Sequence, residues 1–163
     1  MAIIHLRPMT ADMYHRYFQE YESDPDLCLD KSTYTPYVYD AEKVDRYIQK
    51  QINLHRIPFA IEHEGEMVGE ILLKNITPEQ CATLSLSMKQ AKYKDRGFGT
   101  ASEKLAIDYV FYRLDIPTLY ADTICTNIRS QHVLEKVGFR LIGEDKNFKY
   151  YRIDRPPVPT PHL

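Results

Sequence analysis

The chain has 163 residues and a formal net charge of −2 at pH 7, a length that buries about two-thirds of its unfolded surface without metals or disulfides. So balanced a charge gives no general affinity for nucleic acid or anionic membranes, and neither is expected as a partner. Three widely spaced cysteines (Cys28, Cys81, Cys125), no recognisable signal peptide and no long apolar run point to a reduced, cytoplasmic protein. Six scattered histidines offer no metal-ligand spacing, so no metal is expected.

In chain order, residues 3–6 read as a strand ending at Arg7-Pro8, and residues 11–21 as a helix capped by Thr10. Residues 23–39 are irregular and rich in tyrosine, with Tyr34, Tyr37 and Tyr39 close together. Asp40 is expected to cap a helix whose apolar positions Val44, Tyr47, Ile48 and Ile52 follow the helical period. Segments 58–62 and 67–73 form a hairpin about Glu64-Gly65. A strand over 83–88 is followed by a helix over 100–114 that directs Leu105, Ala106, Tyr109 and Val110 toward a core. A strand over 119–123, a helix over 127–137 and a hairpin of 140–143 with 148–153 complete the pattern. Arg155-Pro156-Pro157-Val158-Pro159 cannot continue a sheet, so residues 1–154 read as one domain and 155–163 as a short Pro-rich tail. No internal repeat or dividing linker is visible.

The most informative stretch is Lys94-Asp95-Arg96-Gly97-Phe98-Gly99-Thr100. Two glycines let backbone approach a ligand closely, and they open a helix whose first N–H groups lack partners within it. The helix dipole adds partial positive charge, so the turn suits an anion, phosphate above all. A P-loop is excluded, because no Gly-Lys pair occurs in the chain. A dinucleotide fingerprint fits poorly: Ser102 stands where a third glycine or alanine belongs, and the run lies past mid-chain.

Lys94-x-x-Gly97-x-Gly99 resembles the acetyl-CoA pyrophosphate loop of the GNAT acetyltransferase superfamily, with Lys94 where Gln or Arg is commoner. A second block, Asn127-Ile128-Arg129-Ser130 and then Val133-Leu134-Glu135-Lys136-Val137-Gly138-Phe139, resembles the family's N-x-x-[AS]-x-x-[LV]-x-E-K-x-G-F segment. Taken alone, Asn127 is also a helix N-cap and Gly138 a helix C-cap; the order and separation of both blocks carry the resemblance. It covers residues 65–153. It implies an α/β GNAT fold: a largely antiparallel mixed sheet, helices on both faces, and a splayed parallel pair (here 83–88 and 119–123) that takes the pantetheine arm. The implied cosubstrate is acetyl-CoA. Backbone groups near Met88 and Lys89 would pair with pantetheine, and the loop Lys94, Asp95, Arg96, Gly97, Phe98, Gly99 and Thr100 would hold pyrophosphate, with Asn127 and Ser130 close to the cofactor.

The implied activity is N-acetyl transfer to a primary amine, a protein N-terminus or a small amine, by direct attack in a ternary complex. An α-amino group of pKa about 8 is roughly one-tenth neutral at pH 7, whereas a lysine is neutral about one time in two thousand. A carboxylate acting directly or through water would help the latter most. Asp122, five residues before Asn127, stands where the ribosomal-protein branch can carry a catalytic Glu; otherwise it merely ends a strand. Glu70 is the rival base, with a solvent-facing position on an amphipathic strand as its alternative. Leu134 occupies the position where many family members carry an acid Tyr, a departure that points to the RimJ/RimL-like branch. It leaves Ser130 either to hydrogen-bond the leaving thiolate or to bond its own helix backbone. Tyr34 and Tyr37 fall where family members build the acceptor wall, and either enclose the amine or pack the surface. Acidic residues Glu20, Glu22, Asp24 and Asp26 either attract a cationic acceptor or form a solvated face. A silent acyl-CoA-binding sensor of the same fold and an unrelated phosphate-binding α/β domain are the competing readings. A homodimer is left open by the family's habits.

Overall fold

The computed structural model describes residues 2–159. Strand β1 (His5–Pro8) leads to helices α1 (Ala11–Glu20) and α2 (Ala41–Asn53), then to strands β2 (Ile57–His63), β3 (Glu66–Thr77) and β4 (Cys81–Met88). Helix α3 (Phe98–Asp108), strand β5 (Thr118–Ile124), helix α4 (Ile128–Lys136) and strands β6 (Arg140–Glu144) and β7 (Phe148–Asp154) follow. Among the described residues one sheet runs in the order β1-β2-β3-β4-β5-β7-β6, and only β4 and β5 pair in parallel. Residues 155–159 of the expected tail have no regular structure, and 160–163 lie outside the described residues.

The helix starts obey their caps. Thr10 Oγ1 accepts from the Met13 N–H at 3.2 Å and Asp40 Oδ1 from the Lys43 N–H at 3.1 Å, which satisfies donors that the first turn leaves open. The connection 21–40 holds two single 3₁₀ turns, Pro25–Leu27 and Lys31–Thr33, headed by Asp24 and Asp30. β1 begins later than its apolar residues suggest, since pairing with β2 runs from His5↔Glu62 to Pro8↔Phe59. Pro8 ends the edge strand, where its missing N–H costs no ladder bond.

β3 is buried on both faces. Ile71 and Leu73 join the large core with Phe98, Ala106 and Val110 of α3 and the segment after it. Glu70, just before Ile71, points to the opposite face and accepts a hydrogen bond from Tyr47 of α2. Helices therefore cover both sides of the sheet.

Two expected core positions are corrected. Ile52 is 60% exposed, while Gln51 is buried one residue earlier. At 100° per residue, position 51 returns almost onto the Val44 stripe and 52 swings off it. Gln51 is satisfied there by Tyr47 O and Arg56. Leu105 also faces solvent, because the buried stripe of α3 runs through Ser102 and Ala106. The helix itself begins two residues earlier than expected, at Phe98, with Gly97 as its cap at φ +81°. Its far end continues into a five-residue π turn, Tyr109–Arg113.

Candidate active site

The sheet opens where its two halves part. β4 and β5 pair only from Cys81↔Thr118 to Leu84↔Ala121. Beyond that point β4 stays with β3 as far as Gly69↔Met88, and β5 stays with β7 as far as Ile124↔Phe148. Ladder parity decides which backbone groups face the opening. The Lys89 N–H donates to Val68 O at 2.8 Å, which makes Gly69–Met88 a non-hydrogen-bonded pair and turns the polar groups of Met88 away from β3, toward the gap. The N–H of Lys89 is spent on β3, its carbonyl accepts from the Glu22 N–H, and its buried ammonium pairs with Glu20 and Glu66. Of the two positions expected to face pantetheine, Met88 turns its backbone groups into the gap, whereas Lys89 braces the strand.

A cleft of about 590 Å³ lies between these elements, lined by Leu86 and Met88 of β4, by Gly97, Gly99, Thr100 and Glu103, and by Asn127, Ser130 and Val133. A smaller pocket of about 90 Å³ adjoins it within the gap and adds Ser85, Asp122, Thr123 and Leu134. At the cleft's head the first helical return bond is from the Ala101 N–H to Gly97 O, leaving the N–H groups of Phe98, Gly99 and Thr100 without helical partners. That is an anion cradle at the positive end of an eleven-residue helix.

Ion pairs hold the cradle in place. Asp95, itself at φ +58°, receives Arg129 Nε at 2.8 Å and Nη2 at 3.0 Å, joining the loop to the first turn of α4. This bidentate pair holds the Asp95 carboxyl below its usual range. Lys94 donates to Asp24 on the α1–α2 connection, and that hydrogen bond lowers the Asp24 pKa. The Arg96 guanidinium lies 4.8 Å over the Phe98 ring. Arg129, His132 and Lys136, at the helical spacing of one face, supply further basic groups along the cleft.

The remaining expected residues divide. Asp122 is exposed and shares the gap with Ser130, while Asn127 accepts from the Ser130 N–H at 3.1 Å and so caps α4. Glu70 stands apart, beneath α1 and α2. Only 7% exposed, it is not the solvent-facing residue that its position on the strand suggested. Burial raises its pKa; Tyr47 Oη donates to it at 3.2 Å, and its Oε2 has no partner among the described residues. Tyr34 Oη is occupied with Ser23, and the Tyr37 ring packs on Phe18 and Tyr21. Leu134, 2% exposed, puts an apolar wall on the gap.

Glu103 escaped the sequence reading. It is 3% exposed, lines both pockets, and its Oε2 has no hydrogen-bond partner among the described residues. Burial alone pushes its pKa up to about 8. Its signal was a carboxylate four residues after Gly99 and four before Ile107, on the helix face that meets the cleft.

The arrangement can hold a diphosphate at the head of α3, lay an amide-bearing arm along the free edge of β4, and end at Asp122 and Ser130. The model of the Acetyltransferase (GNAT) domain matches residues 4–140. Spermidine N(1)-acetyltransferase of Escherichia coli (strain K12) is 28% identical over 111 residues, which are 68% of this chain and only 58% of that protein. Among solved structures, spermidine N-acetyltransferase from Vibrio cholerae with CoA and spermine superposes at a TM-score of 0.73 and 17% identity, over 93% of this chain and 95% of that one. RimL, a ribosomal L7/L12 alpha-N-protein acetyltransferase in complex with CoA, gives 0.74 and 17%, over 94% and 95%. A shared fold, the splayed strand pair and a family match over most of its length agree: the chain belongs to the GNAT acetyltransferase family.

Proposed function

We propose that this protein is an acetyl-CoA-dependent N-acetyltransferase acting on a primary amine. The observation that carries the reading is the parting of β4 from β5 after Leu84↔Ala121, directly below the anion cradle of α3. The gap gives an extended acyl-thioester a backbone edge to pair with and a route to Asp122. The amine nitrogen attacks the thioester carbonyl carbon, the C–S bond breaks, and the thiolate leaves as the amide forms. Asp122 takes the proton lost by the amine, through a water because its side chain is short, and Ser130 hydrogen-bonds the departing sulfur. Glu70 is the second candidate base, its pKa raised by burial. Tyr37 belongs to the acceptor wall, whereas Tyr34 holds the loop.

The nearby acidic residues bear on the acceptor. Glu20 is paired with Lys89, Asp24 with Lys94 and Asp26 with Lys31, so among the described residues Glu22 alone of the four has no ion pair and little charge is left to draw a polycation. That favours an α-amino group, as in RimL, over a polyamine, and with it the RimJ/RimL-like branch. Leu134 supports a second reading, a slow or silent acyl-CoA sensor, since no phenol stands there to protonate the thiolate.

An amine panel of N-terminal peptides and polyamines, followed by product mass, tests the reading. Asp122→Asn is expected to lower kcat about a hundredfold or more with acetyl-CoA affinity unchanged. No acetylated product with any amine, despite tight acetyl-CoA binding, would establish the sensor instead.

A further inference from the structure

Glu103 has no part in the chemistry above, yet its position is costly. A buried carboxyl with an unpartnered oxygen loses its hydration and gains no bond in return. Such a group is kept where something absent from the folded chain completes it. Its surroundings limit what that is. The two pockets that Glu103 lines also share Leu86 of β4, Asn127 and Ser130, and the polar groups of Met88, which lines the larger, turn into the gap. The cradle at Gly99 and Thr100 lies one turn above it on the same helix, and Ser130 and Asp122 lie on the far side of the gap.

We propose that the Glu103 carboxyl recognises the cofactor, hydrogen-bonding an amide of the pantetheine arm as that arm passes between β4 and β5. The assignment rests on the cofactor reading above. The pantetheine arm is the one part of acetyl-CoA that carries amides and must cross this stretch, midway between the diphosphate and the thioester. The bond proposed is donated by the protonated carboxyl to an amide carbonyl; the ionised form has no proton to donate, and burial disfavours its charge. The ionisable groups that share the cleft are Asp122 on β5, Arg129, His132 and Lys136 on α4, Lys94 and Asp95 on the loop, and Tyr93 just before it. β4 presents Leu84, Ser85, Leu86 and Met88 to the two pockets, none of them ionisable. None of these charges sets the state of Glu103, whose raised pKa has burial as its sole cause. Acetyl-CoA binding therefore falls as pH rises through the range where Glu103 loses its proton, because the competent fraction falls.

Calorimetric titration with acetyl-CoA, which has no thiol to ionise, decides the matter on three proteins. Wild type binds, and its Kd weakens about tenfold between pH 7 and pH 9. Glu103→Gln keeps a neutral donor and acceptor, so its affinity stays close to wild type at pH 7 and flat to pH 9. Glu103→Leu, of similar volume, binds about tenfold more weakly at pH 7. Its unliganded melting temperature equals or exceeds that of wild type, because an unpartnered buried carboxyl is gone. Equal affinity of a folded Glu103→Leu protein and wild type overturns the assignment, as do identical pH profiles for wild type and Glu103→Gln. If Glu103→Leu does not fold, the Glu103→Gln profile decides alone. Failure of wild type itself to bind acetyl-CoA removes the cofactor reading and this assignment with it.

Discussion

Gly97 shows what a single residue contributes and how far it can be read in advance. Its φ of +81° sets the turn from which α3 starts, and a Cβ there would meet nothing closer than Ala2 Cβ at 3.8 Å. Space is available, so the need for glycine is conformational. Gly97→Ala is accordingly expected to destabilise by roughly 1–2 kcal/mol, the cost of a left-handed L-residue, as measured by urea denaturation. A loss several times larger would mean that packing, not backbone strain, fixes this position. The glycine pattern and the basic flank were legible because the backbone demands them locally. Partners were not. Lys94 turned out to bind Asp24, and Asp95 to bind Arg129, contacts across about seventy and thirty-four positions of the chain respectively that no local pattern announces. Glu103 was missed for a related reason: a carboxylate inside an amphipathic helix reads as solvated until the opposing wall is known.

At the scale of elements, caps and turns were the most readable features. Thr10, Asp40 and Asn127 each accept from a first-turn N–H as their residue types suggest. Register was harder to foresee, because it depends on the neighbouring strand; β1 shows this, its bounds set by β2 and not by its own apolar residues. The outer strands are joined by one carboxylate. Asp154, at the end of β7, accepts from Thr118 Oγ1 of β5 at 2.7 Å, from Arg140 of β6 at 3.0 Å and from Arg152 at 3.0 Å. These bonds, Arg152 foremost, lower its pKa from 3.8 to about 2. A carboxyl with a depressed folded pKa contributes stability above its unfolded pKa and loses it as pH falls through the folded one. Asp154→Asn is therefore expected to melt lower than wild type at pH 7, with the difference shrinking as pH falls from about 4 toward 2. Since Asp154 is about a third exposed, the effect is modest. A difference that stays constant across that interval would show that the bonds to Asp154 act independently of its charge.

At the scale of the whole molecule, the sheet is two ribbons hinged on a short parallel seam. β1 to β4 form one, β5 to β7 the other, and their backbone pairing ends at Leu84↔Ala121. Both seam strands were legible in the sequence, yet nothing in either segment marks where pairing stops. That point is fixed by the partners on the outer sides, β3 holding β4 and β7 holding β5. The opened edge leaves hydrogen-bonding capacity at Met88 unused by the sheet, and unpaired backbone groups away from water are costly. A ligand spanning the gap supplies those bonds and ties one ribbon to the other through the loop at Gly97 and the first turn of α4. Acetyl-CoA at about 100 times its Kd then adds ~2.7 kcal/mol, which raises the melting temperature by roughly 5–10 °C for a domain of this size. CoA compounds produce the shift and ATP does not, because ATP has no arm to fill the seam. Hydrogen exchange locates the effect: amides of residues 86–88 and 98–100 gain protection, while β1 and β6, far from the seam, change little. An equal shift with ATP would reduce the site to its anion cradle, and the gap between the ribbons would have no part in binding.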